Sequence, residues 1–439
     1  MALRLPGTWE YGRFLDEEVT VFFAYAWNFD PSSALFRPFA GYWNLAANGI
    51  TAVLVSAVKA GLISLENAPY VTMLLGLASQ LLPIALLLTG EANWLRKRSV
   101  RFVACLLVAL APGVDEVYLN VVHIQFHLAL CVGIILALDA PTSRAGKLLS
   151  GTILLTAPLC GPGAILFLPL FGLRALLERD RARFVQVGIL AAGTAIQLLI
   201  FYTPSAARGV PMAPVLLGAA LFVRIVVLAV LGPLMAVVVG NLGQQAEMAG
   251  NPWILPLFAG AAVAAFAALA WWSLKRRDGA VWLVGSALLV AIISFGLGAA
   301  GQSSLPHRFA LTPYNGPRYN YIPLVLLALA MLVFSTRPDG RGRKIARGLV
   351  IVYLVMAGLS FRIALPEYAN GVSWRGEVAA WRADPDYKLR AWPRQVTADL
   401  SGRRYPCPGR FPAHGNPADP RYCESGWVSA FYPNEARQR

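Results

Sequence analysis

Apolar runs of about 20 residues recur from about residue 45 to about residue 365, separated by short loops, and that length carries a helix across a bilayer core. A transmembrane β-barrel would instead alternate in segments of about 10 residues, and none appear. The expected fold class is therefore an all-α polytopic membrane protein with about 10–12 transmembrane or re-entrant helices. Composition agrees. Of the 439 residues, 57% are hydrophobic and 14% charged, whereas a soluble domain carries about 25% charged residues.

The net charge of +15 follows from where the basic residues stand. They cluster in short loops: Arg96 to Arg98 with Arg101, Arg144 with Lys147, Arg174 to Arg183, Lys275 to Arg277, and Arg337 to Arg347. This is the pattern of cytoplasmic loops. With no basic soluble domain, nucleic acid is excluded as a partner.

Threading from these loops predicts spans at 69–89, 102–113, 122–139, 184–203, 253–274, 279–300, 321–336 and 346–364. Residues 148–173 begin and end at basic loops, and their central "CGPG" predicts a hairpin of two short helices. Residues 215–240 lie between two outer segments and predict a bent or re-entrant pair. Residues 45–64 either span, which puts the N-terminus inside, or lie along the outer interface; loop charge does not decide between them. The first residues, "MALRLPGTWEYGR", have no apolar stretch of signal-peptide type. The tail from about residue 366 is expected outside. Cys407 and Cys423 within it predict a disulfide, while Cys105, Cys131 and Cys160 lie in apolar runs as core residues.

Acids are scarce, at 23 in the chain, and two groups stand at helix mouths. Asp16, Glu17 and Glu18 run directly into an apolar stretch, and Asp115 and Glu116 precede "VYLNVVHIQFHLAL". An acid near a terminus or in a loop is ordinarily solvated. Carboxylates at a membrane surface also serve as general bases or metal ligands, with Asp16 and Glu116 the expected metal pair. Asn120, His123, Gln125 and His127 enter the following span. The histidines are spaced i,i+4, which suits one helix face, and the group is expected to line a substrate cavity, with zinc binding or helix packing as alternatives. Outside, "PHRFALTPYNGPRYNYIP" offers His307, Arg308, Arg318 and the tyrosines Tyr314, Tyr319 and Tyr321. Arginine there runs against the charge bias and can grip a phosphate bidentately. Lys59 and Arg224 are isolated in apolar runs; the first can snorkel and the second can meet a headgroup.

Taken in order, the early acids followed by "FRPFAGYWNL", then "APGVDEVYLNVVHIQFHLAL", "LCGPGAILFLPLFGLRAL" and "GPRYNYIPLVLLAL" resemble bacterial membrane proteins of the GT-C glycosyltransferase superfamily. That group includes protein mannosyltransferases and lipid A aminoarabinose transferases. The resemblance covers most of residues 10–365. It implies an inner-membrane enzyme that moves a sugar from a polyprenyl-phosphate carrier to an extracytoplasmic glycan, lipid or protein acceptor. It further implies a base or metal ligand at Asp16 or Glu17, a second acid at Asp115 or Glu116, and a phosphate-facing arginine at Arg308 or Arg318. A divalent cation, Mg or Mn, is the implied cofactor. On this resemblance residues 1–44 form an extracytoplasmic loop with interfacial helices, 45–365 the transmembrane domain and 366–439 an extracytoplasmic segment. Two departures stand out: no transmembrane helix precedes the first acid, and Asn44 and Asn48 stand where related sequences carry His and Arg.

Two other functions fit parts of the sequence. An O-antigen ligase or polymerase-like enzyme would use outer Arg and His without a carboxylate base. A lipid-sugar flippase or transporter would line a path with mid-membrane ionisable groups, of which Lys59, Arg224 and the two histidines are the candidates.

Overall fold

The computed structural model of the chain describes residues 3–39, 41–201, 212–275, 278–299, 310–338, 340–363, 370–392 and 396–401. The described residues contain six helices long and apolar enough to cross a membrane, as an all-α membrane protein requires: in hydrocarbon a helix satisfies its own backbone polar groups. The main helices are α1 (Leu45–Lys59), α2 (Ala68–Thr89), α3 (Arg98–Ala109), α4 (Ile124–Ala137), α5 (Arg144–Cys160), α6 (Leu168–Glu178) and α7 (Arg181–Phe201). They continue as α8 (Pro214–Met248), α9 (Ile254–Leu274), α10 (Gly279–Gly296), α11 (Arg318–Thr336), α12 (Gly340–Leu359) and α13 (Trp374–Ala383).

Chain breaks fall where glycine and proline demand them. After Cys160 the extended Gly161 ends α5, and Pro162–Phe167 forms a tight turn before α6 returns. In α8 the backbone breaks at Gly232, φ 77°, ahead of Pro233. A side chain there is strained, because only glycine adopts that region freely. The second arm folds back, so a Cβ on Gly240 would lie 3.5 Å from Val223. The stretch is thus a bent hairpin, and its tip packs on Gly113 and Met356.

The core centres on α4, α10 and α11; α11 is buried from Asn320 through Phe334 apart from Leu327. At the rim, α9 exposes Leu257, Val263, Trp271 and Leu274. Apolar side chains turned outward are what a lipid-facing helix needs.

The two ends of the bundle differ in charge. At one end the basic loops meet. Arg174 and Arg183 both pair with Glu178, and both donate to the Leu138 carbonyl, 2.9 and 2.7 Å. Arg337 forks onto Asp278, and Asp139 N–H donates to the Glu91 carbonyl. The opposite end of α2, α4 and α11 carries both acidic groups. There a second core joins residues 14–34, the middle of α1 and the segments 374–391 and 396–400. The Trp374 and Phe14 rings meet in a T-shape with centres 4.8 Å apart, and Trp374 donates to the Leu65 carbonyl. The N-terminal acids therefore share an end with Glu116 and Arg318, away from the basic loops.

Candidate active site

Buried arginines stitch the N-terminal segment to the loop between α3 and α4. Arg4 donates from Nε to Asp115 at 2.7 Å and from Nη1 to the Ala111 carbonyl at 2.8 Å, with its guanidinium 4.8 Å from the Tyr118 ring centre. Arg13 donates to the carbonyls of Tyr118 and Leu119. The buried Glu18 carboxylate accepts from Leu15 N–H and Val121 N–H, each at 3.1 Å. On the other side, Asp16 N–H donates to the Trp392 carbonyl at 2.7 Å, and Trp392 N–H donates to Phe14. Asp16 and Glu17 are thereby held half-buried between the loop and the C-terminal segment.

Asp115 and Glu116 part company. Asp115 is committed to Arg4. Glu116 receives Arg318 twice: the backbone N–H donates to Oε2 at 3.0 Å, and Nη1 donates to Oε1. His123 Nε2 lies 3.9 Å from the same oxygen. Asn120 fixes this corner, donating to the Glu116 and Tyr118 carbonyls and accepting from His123 N–H.

Charge then separates the acids. Burial pushes Asp16 well above the ordinary carboxylate range; Glu17 and Glu116 add to the rise and Arg318 opposes it. Glu17 is raised for the same leading reason. Burial also acts on Glu116, but Arg318, through its charge and its two hydrogen bonds, outweighs it and holds Glu116 below its usual range. His123 falls to about 3, chiefly through burial, so it is neutral at physiological pH. Asp16 Oδ1 and His123 Nδ1 are buried and lack a hydrogen-bond partner among the described residues. The cluster thus holds a neutral imidazole, a carboxylate–arginine pair and two carboxylates with raised proton affinity. Groups of this kind can accept a proton and contact an anion.

The remaining expected residues divide. Gln125 donates to the Tyr42 hydroxyl at 3.2 Å. Its amide fills the notch at Gly161, where a Cβ would come within 2.0 Å of Oε1. The "CGPG" break thus makes room for Gln125 as well as ending a helix. His123 stands just before α4, whereas His127 is inside it, so the i,i+4 pair does not share a role. His127 Nε2 donates to the Val117 carbonyl at 2.9 Å, which leaves Nδ1 to accept from the Tyr321 hydroxyl at 3.1 Å. Tyr319 is half-buried with its ring 5.1 Å from the Arg318 guanidinium, and Tyr314 is half-buried near Asp115. Asn44 caps α1 through Ala47 N–H and donates to Val122, while Asn48 donates to Leu35 and Arg37. Both are spent on structure. His307, Arg308, Cys407 and Cys423 lie outside the described residues.

Sequence reasoning missed Arg4, Arg13, Tyr42 and Trp392. Tyr42 lies within electrostatic reach of Arg318 and Glu17. Two arginines ahead of an acid triplet were the available signal for the first pair; nothing local marks Trp392. Among the described residues no group of three or more His, Cys, Asp or Glu side chains is arranged to hold a metal ion.

Fold and site together define a polytopic helical protein suited to the membrane, with a carboxylate–arginine cluster at the end opposite its basic loops. No family model and no characterised protein matches the chain.

Proposed function

We propose that the protein is a GT-C-type glycosyltransferase of the bacterial inner membrane, moving a sugar from a polyprenyl-phosphate carrier to an acceptor outside the cytoplasm. One observation carries this reading. Acids about 100 residues apart in sequence, Asp16 with Glu17 and Glu116, gather around Arg318 at the end away from the basic loops. The charge pattern of the loops supports placing that end outside.

The chemistry follows from the differences among the groups. Asp16, raised by burial and with one oxygen unpartnered, takes the proton of an acceptor hydroxyl. The hydroxyl oxygen attacks the anomeric carbon. The bond from that carbon to the phosphate oxygen breaks, and polyprenyl phosphate leaves with the electron pair. Arg318 stabilises the phosphate, an ordinary task for a fork-shaped cation. In the resting site Glu116 occupies Arg318, so the donor phosphate exchanges for it. Where a Mg or Mn ion binds, Asp16 would hold it instead of acting as base, with Glu17 in place of the expected Glu116, whose two oxygens are taken by Arg318, since Mg needs only one or two protein carboxylates. The ion would supply neutralising charge.

The test is transfer of radiolabelled sugar from a panel of undecaprenyl-phosphate sugars by the purified protein in liposomes. The expected outcome is transfer by the wild type and a loss of about 100-fold or more in Asp16→Asn with Glu17→Gln, the scale of a lost general base. Unchanged transfer in that double variant would point to the ligase-like alternative. Movement of lipid-linked sugar without a new glycosidic bond would point to a flippase.

A further inference from the structure

Arg224 sits in an apolar helical stretch and is fully buried. The sequence expectation that it reaches a lipid headgroup does not hold, because its donors turn inward. Nε donates to Asn320 Oδ1 at 3.0 Å, and Nη2 donates to the carbonyls of Gly316, at 3.0 Å, and Asn315. Weaker contacts reach Ala310 and Pro313, at 3.4 and 3.5 Å. The Phe295 ring covers its guanidinium at 4.8 Å. Among the described residues no carboxylate pairs with it.

Glu116 acts on Arg224 only through space, beyond ion-pair distance, and a charge buried in an apolar span with no directly paired carboxylate among the described residues is costly and persists where it does a task. Here the task is visible in what the fork holds. Asn320 donates back to the Pro313 carbonyl at 3.0 Å, so Arg224 and Asn320 together close the turn 313–320. Within it Gly316 adopts φ 63°, and two residues later Arg318 presents its N–H and guanidinium to Glu116. We propose that Arg224 is a positioning residue for the phosphate-binding arginine, fixing the turn before α11 so that Arg318 is aimed at Glu116 and, in turn, at the donor phosphate. The last clause rests on the function proposed above; the fixing of the turn does not. Lysine offers three donors on a flexible stem and arginine five in a rigid fork, so only arginine spans the amide oxygen and the carbonyls together.

Hydrogen–deuterium exchange of the full-length protein in nanodiscs tests the first part. In Arg224→Met, the amides of Asn315, Tyr319 and Asn320, bonded to the carbonyls of Thr312, Gly316 and Pro317, exchange about tenfold faster or more, while α2 and α4 keep wild-type protection, as local opening requires. Arg224→Lys recovers part of the protection. Unchanged exchange in a folded Arg224→Met protein overturns the proposal. If that variant does not fold, Asn320→Ala removes the Nε acceptor and the Pro313 bond, and the same two outcomes decide. The second part is read from kinetics. Arg224→Met raises the KM for polyprenyl-phosphate sugar about tenfold with a smaller change in kcat, as lost seating of the phosphate predicts. An unchanged KM, with only the yield of folded protein reduced, would leave Arg224 purely structural and overturn it. A wild type without transfer sinks the proposed function alone, since the exchange measurement still judges the turn.

Discussion

Neighbouring residues of one type do different work in this chain, and burial with partner choice decides which. Asp115 locks to Arg4 while Glu116 locks to Arg318. Glu18 spends both oxygens on backbone N–H groups, whereas Asp16 keeps one oxygen unpartnered. Glu18 makes a prediction about pH. Burial raises its carboxyl from 4.5 to about 7 in the folded protein. Between those values the folded state holds a proton that the unfolded state has released, so stability falls as pH rises through this window and levels off above it. The full effect is on the order of 3 kcal/mol. Glu18→Gln, neutral throughout, flattens that limb. Unfolding midpoints against pH in detergent check it, and equal slopes in both proteins would contradict it.

At the level of elements, much was legible in the sequence. Run length and loop charge located the helices, and "CGPG" and Gly232–Pro233 broke them for the backbone reasons that glycine and proline impose. The packing of residues 374–392 and 396–400 on the acid-bearing segment was not legible in detail, because two short pairings and a pair of tryptophans leave no periodic signal. That packing yields a second prediction. A Cβ on Gly371 would come within 2.0 Å of the Trp392 ring, whose backbone carbonyl receives Asp16 N–H. Gly371→Ala must shift Trp392, and sugar transfer is expected to fall about tenfold or more, since small misplacements at a reacting group are costly. Gly172→Ala, with open space around it, keeps wild-type transfer. Wild-type transfer in Gly371→Ala would show that the C-terminal segment does not position the acid. The site's pairings were legible only by type: the sequence shows that acids and an arginine are available, but Glu116 meets Arg318 across 202 residues of chain.

For the whole molecule, the decisive feature is that its two ends differ. Loop charge alone left residues 45–64 free to span or to lie flat, and so left the side of Asp16 open. Packing removes one freedom, because Glu18 bonds Val121 and Asp16 bonds Trp392 at the end remote from Arg174, Arg183 and Arg337. Whichever side one acid group faces, the other faces too. The measurement that tests this most directly is single-cysteine labelling in intact cells with a membrane-impermeant reagent, in a protein lacking its native cysteines. Glu10→Cys reports the acid end and Ala145→Cys the basic end; both positions are exposed. The prediction is that position 10 labels in intact cells and position 145 only after lysis. Labelling of position 10 only after lysis would place the carboxylate cluster in the cytoplasm and contradict a transfer site outside it.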